Sequence, residues 1–140
     1  MHDARTRYVT DAVSTASPAR LLTMLYDRLL LDLDRAGDAL AAGTPAREHL
    51  DHAQDVVAEL MSTLDAGAWD GGERLMSIYG YVLSELLQAE LTGDAERVTG
   101  CRRLLEPLAI AWHEAADALG RQAVPTPREE PAGMGVLGVG

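Results

Sequence analysis

The chain contains no lysine and no phenylalanine, and it has a single cysteine, Cys101. Each lack excludes something. Without lysine there is no P-loop of the Walker type, no Schiff-base amine and no kinase-type lysine, because each of those needs an ammonium at one fixed place. One thiol cannot close an internal disulfide, which fits a reducing compartment. Aromatic residues are sparse, four Tyr and two Trp, so any core rests mainly on leucine, valine and alanine. No apolar run approaches the length of a membrane span, and the opening MHDARTRYV has no apolar core of a secretory signal. The expectation is a cytoplasmic protein with no direct membrane insertion. Positive charge is also short: the formal net charge is −10. That argues against nucleic acid as a partner, since phosphate backbones are held by clustered Lys and Arg, and against attraction to an anionic bilayer.

What is present is helical pattern. Ser17-Pro18 reads as a cap followed by a first-turn proline. From Pro18 to about Ala42, Leu22, Leu25, Leu29, Leu33, Ala36 and Leu40 recur at helical spacing, and Gly43 ends the run. Thr44-Pro45 repeats the start signal, and Leu50, Ala53, Val57, Leu60, Met61 and Leu64 make the next stripe. A Gly- and Asp-rich turn with Trp69 leads into a third helix at about Glu73, striped by Leu75, Ile78, Tyr79, Val82, Leu86 and Ala89. Asp94 caps a fourth, whose stripe is Val98, Cys101, Leu104, Leu105, Leu108, Trp112, Ala115 and Leu119. Pro107 lies inside it and predicts a kink rather than a break, because the stripe stays in phase across it. From Val124 onward Pro and Gly dominate. The expectation is an all-α, antiparallel up-down four-helix bundle over residues 18–120. A short N-terminal arm covers 1–17 and a disordered Pro/Gly-rich tail covers 121–140.

Two helices carry more apolar surface than one core seam uses. On the first, Leu21, Met24 and Leu31 fall away from the main stripe. On the third, Met76, Gly80, Leu83 and Leu87 do the same. Such surplus stripes call for the N-terminal arm, a second copy of the chain, or a partner helix laid in a groove.

Catalytic chemistry is hard to find. His113-Glu114-Ala115-Ala116-Asp117 resembles a truncated zinc motif without its second histidine or a third ligand. Glu48 is followed three residues on by Asp51 rather than His, so a di-iron unit fails. His49 and His52 read as surface groups, and Asp27, Asp34 and Asp38 as a solvated helix face. Cys101 sits on a core stripe with no base beside it. The reading is a non-enzyme with no metal and no cofactor. A structural homodimer and a metal-dependent bundle enzyme using His113, Glu114 and Asp117 are the rivals.

One segment is more specific than the periodicity. Tyr8, Val13, Thr15-Ala16-Ser17-Pro18, Leu21 and Met24-Leu25-Tyr26-Asp27 resemble the signature of the flagellar secretion chaperone family FliS, Y-x4-V-x-T-A-S/T-P running into L-x2-M-L-Y-D/N. Ala53 to Leu60 is similar to that family's second helix, Ile78-Tyr79-Gly80-Tyr81 to an element of its third, and Trp112 to a tryptophan of its fourth. The resemblance covers roughly residues 8–119 and departs from the family at Pro107 and in the tail.

The resemblance implies an antiparallel helical bundle that binds the C-terminal segment of flagellin and blocks its premature polymerisation. It implies delivery to the export gate protein FlhA of the flagellar type III apparatus, with the anti-sigma factor FlgM as another partner. Candidate partner contacts are then Tyr8, Leu21, Met24, Leu31, Met76, Gly80, Leu83 and Leu87. Tyr8 enters only because the family's N-terminal segment lies near its client groove.

Overall fold

The computed structural model describes residues 17–123. Over these residues the chain forms α1 (Pro18–Ala42), α2 (Arg47–Thr63), α3 (Gly72–Thr92) and α4 (Ala95–Ala123), with no strand among them. The helical bundle expected from the stripes is the observed architecture. Tyr8, Thr15, Ala16 and the tail from residue 124 lie outside the described residues.

Local chemistry explains the helix ends. The Arg20 N–H donates to Ser17 Oγ at 3.1 Å, and Pro18 takes the first turn, where its missing N–H costs nothing. Gly43 closes α1 at φ 72° and Gly93 closes α3 at φ 73°, both in the left-handed region. Asp94 caps α4 by accepting from the Glu96 N–H at 3.0 Å. The second start signal is displaced. α2 begins at Arg47, not at Thr44-Pro45, and Ala46 gives it no side-chain cap. Thr44 is spent on the preceding helix: its N–H and its hydroxyl both donate to the Ala39 carbonyl, at 2.8 and 3.2 Å. α4 runs unbroken through Pro107.

Packing follows chain order. α1 packs on α2, α2 on α3, α3 on α4, and α4 closes the ring against α1. Polar pairs show the α1–α4 direction. Arg20 meets Asp117 at 3.5 Å, Asp27 meets His113 at 2.7 Å and Asp34 meets Arg102 at 2.6 Å, so one helix climbs as the other descends. Asp27 and Asp34, read from sequence as part of a solvated helix face, are exposed and also tie α1 to α4. On the other seams Gln54 Nε2 donates to Glu90 Oε1 at 3.0 Å, and Arg97 Nη1 to Glu85 Oε2 at 2.9 Å.

The core is built from Leu29, Leu33 and Ala36 of α1, Leu50, Ala53, Val57 and Leu60 of α2, Leu75, Tyr79, Val82, Leu86 and Ala89 of α3, and Val98, Cys101 and Leu105 of α4. Burying each leucine contributes roughly 1.5–3 kcal/mol. Cys101 behaves as a small hydrophobe, its thiol pushed up to about 12 by burial and then by the Glu85 carboxylate.

Four corrections concern the stripes. Leu22, Leu25 and Leu40 are half-buried at the core margin. Leu104, Ala115 and Leu119 are exposed, while Ala109 and Ala116 take the inward positions of α4. Tyr26 is fully buried in the centre of the core. Asp32, on no predicted stripe, is also buried, held by Arg28 Nε at 3.3 Å and by His52 Nδ1 reaching across from α2.

Candidate partner-binding cavity

An apolar cavity of about 830 Å³ opens at the end of the bundle where α1 begins and α2 ends. Four elements of the ring converge there. α1 supplies Pro18, Leu21, Leu22 and Leu25 along one wall. The last turns of α2, the loop after it carrying Ala68 and Trp69, and Leu75 of α3 supply the opposite side. Tyr79 and Trp112 complete the lining.

Its base is an aromatic cluster. The Tyr26 and Tyr79 hydroxyls share a hydrogen bond of 2.7 Å, with ring centroids 6.4 Å apart. The Trp112 ring stands edge-on to Tyr26 at 6.3 Å. Burial raises both phenol pKa values, so neither tyrosine ionises near neutral pH. The Trp112 N–H is buried and meets no acceptor in hydrogen-bond geometry among the described residues. Glu59, Thr63 and Asp65 are the polar members of a lining that is otherwise apolar or aromatic. The cavity offers apolar surface, and what it can do chemically is exclude water from an apolar side chain.

The loop over the cavity is tightly built. An added Cβ at Gly71 would overlap the Trp69 ring, and one at Gly72 would overlap the Ala66 carbonyl. Glycine therefore lets Trp69 fold down beside the mouth, where it stays 50% exposed. Asp65 Oδ1 accepts the Gly67 N–H at 3.3 Å and steadies the same turn.

The candidate contacts separate into three places. Leu21 is in the cavity. Met24 and Leu31 are each 40% exposed on the outer side of α1 and do not line it. Met76, Gly80, Leu83 and Leu87 share the outer side of α3. Leu87 is 47% exposed, while Leu83 packs at the core margin. Gly80 has no close neighbour beside it among the described residues, where an added Cβ would meet open space. Of the residues quoted for the resemblance, Tyr26, Tyr79 and Trp112 come together from three helices, with Pro18 on the rim.

Sequence reasoning missed Glu59, Thr63, Asp65, Ala68 and Trp69. The available signal was a tryptophan set in a Gly/Asp turn, a residue costly to expose without use. The histidines do not assemble a centre: His113 pairs with Asp27, Asp117 with Arg20, and His52 with Asp32. Among the described residues no group of three or more His, Cys, Asp or Glu is placed to hold a metal ion.

A family model described as flagellar protein FliS matches residues 1–119. The chain belongs to the FliS family. Its similarity extends to individual members. It is 35% identical over 116 residues to the flagellar secretion chaperone FliS of Salmonella typhimurium, covering 76% of this chain and 82% of the relative. To the FliS of Escherichia coli it is 32% identical over 110 residues, covering 76% and 81%. To that of Bacillus subtilis it is 26% identical over 132 residues, covering 93% and 92%. FliS proteins are thus flagellar secretion chaperones by name. No helix of the described residues is long and apolar enough to cross a membrane.

Proposed function

We propose that this FliS-family chain is a cytoplasmic export chaperone that binds the disordered C-terminal segment of flagellin and blocks its premature polymerisation. The observation that carries the reading is the open apolar cavity of about 830 Å³, since large accessible apolar surface marks interaction sites. The family's chaperone name supplies the class of client.

The physical logic is coupled folding and binding. A segment that polymerises through apolar faces buries those faces here instead: first in the cavity beside Leu21, Leu25 and Trp112, then along the outer side of α3 at Leu87. Ordering the segment costs free energy, so net affinity per unit area is modest. That suits a client released later without a chemical step.

Calorimetry with a peptide of the flagellin C-terminal segment tests the reading. The expected result is a stoichiometric complex with a negative heat-capacity change, the mark of apolar burial. Absence of binding at several temperatures would refute it. Delivery to FlhA and recognition of FlgM are separate proposals implied by the resemblance, each checked by pairwise binding of the purified proteins.

A further inference from the structure

We propose that the mouth of the cavity is a cation-reading site, formed by Glu59, Asp65 and Trp69, which selects a partner segment carrying an arginine or lysine beside its apolar anchor. This rests on the reading of the cavity as the place where the partner docks.

Charge complementarity identifies the occupant. The cavity lining includes two charged residues, Glu59 and Asp65, and both are acidic. Neither carboxylate pairs with a cation among the described residues. On the seams of the bundle, by contrast, Asp27, Asp32, Asp34, Glu85, Glu90 and Asp117 all have basic partners. None of the arginines of the described residues lines the cavity. A cation brought to this mouth gains charge-assisted hydrogen bonds from carboxylates that no arginine of the described residues occupies.

Trp69 adds a second kind of recognition. It lines the same mouth and is half exposed, so its ring has a solvent-facing side. An indole face is the best of the natural aromatic faces for a guanidinium or ammonium. The turn holds the group in place: Gly71 leaves room for the ring and the Gly67 N–H fixes Asp65. The apolar interior therefore takes an aliphatic or aromatic anchor, and the rim takes a positive charge close to it. A segment with the anchor but no cation leaves both carboxylates without a basic partner. The chain's net charge of −10 adds a long-range pull of the same sign.

The test is a cycle between protein and peptide. Full-length protein and its Glu59→Gln/Asp65→Asn variant are titrated with the flagellin C-terminal peptide and with peptides in which each arginine or lysine is replaced by glutamine, one at a time. Both positions are exposed, and Asn keeps the acceptor for Gly67, so the variant folds. One peptide cation is expected to stand out. Losing it weakens binding to the wild type by roughly tenfold and binding to the variant hardly at all. Trp69→Leu, which keeps an apolar wall without the π face, loses part of the same preference. The wild type's affinity also falls more steeply than the variant's as NaCl is raised.

Equal affinity of both proteins for every peptide overturns the inference and leaves the function standing. So does tighter peptide binding by the neutralised variant, because a cation of this chain itself then holds the site. No binding of any peptide to the wild type overturns the inference together with the function on which it rests.

Discussion

The hydrogen bond between Tyr26 and Tyr79 gives the sharpest energetic test of the structure. Tyr26 is 0% and Tyr79 1% exposed, and their hydroxyls are 2.7 Å apart. Replacing either by Phe removes one hydroxyl and strands the other in a site that water does not reach. An unpartnered buried polar group costs about 1–3 kcal/mol. Each single variant, Tyr26→Phe or Tyr79→Phe, should lose about that much. The double variant removes both polar groups together and leaves an apolar contact, with two small oxygen-sized gaps. Its loss should be well below the sum of the singles, about 1–2 kcal/mol in all. Urea unfolding at pH 7 measures the cycle, with an unchanged denaturant slope as the check that only stability has moved. For a domain of this size each kcal/mol also appears as a shift of about 3–5 °C in melting. Additive single and double losses would refute the reasoning, because they would mean that the two hydroxyls do not depend on each other.

Three further outcomes follow from the same geometry. Leu87→Arg should leave melting within about 0.5 kcal/mol of wild type, since Leu87 is largely exposed, and weaken flagellin-peptide binding; Leu83→Arg should lower melting clearly, because Leu83 packs at the core margin, and the reverse order by calorimetry would contradict this packing. Gly72→Ala should cost about 1–3 kcal/mol in urea melts by pressing on the Ala66 backbone, whereas Gly71→Ala should displace the Trp69 ring, seen as a change in tryptophan emission with little loss of stability. Stability should fall at high pH: the Cys101 thiol is raised from 9.0 to about 12 and both buried phenols are raised too, so below pH 9 the neutral forms prevail in folded and unfolded chains alike, and above it the unfolded chain ionises first. The unfolding free energy from urea titrations should therefore drop on the order of a few kcal/mol between pH 9 and 12 and drop less in Cys101→Ala; a flat profile would refute the burial of these groups.

The legibility of the fold had a physical pattern. Helix ends were readable where a single residue does the work alone, as at Ser17, Gly43 and Asp94. The α2 start was misplaced because Thr44 is needed to finish α1, a competition between neighbours that a local signal does not reveal. The stripe of α4 was misread for a different reason. Three- and four-residue steps both fit a helix, and large side chains were favoured over small ones. The partner helices instead select Ala109 and Ala116 for the interior and leave Leu104 outside. Leu119 is exposed because α1 has already begun at the level of Asp117, where Arg20 meets it, so little of α1 remains for Leu119 to pack against.

The site divides in the same way. Leu21 was found from a surplus stripe, and Tyr26, Tyr79 and Trp112 from a resemblance, without any indication that the three rings meet. Glu59, Asp65 and Trp69 were not found. They belong to the end of one helix and a turn, where no periodicity exists to be read.

By itself the sequence determined the helical class, the positions of most caps, the acidic character and the family. Each of these is set by residues close together in the chain or by composition. Only the tertiary structure decided which stripe faces inward, which acids are paired, and that an apolar cavity opens where α1 begins and α2 ends. Those depend on how four helices meet, and the chemistry of that meeting is distributed over residues as far apart as Leu21, Trp69 and Trp112.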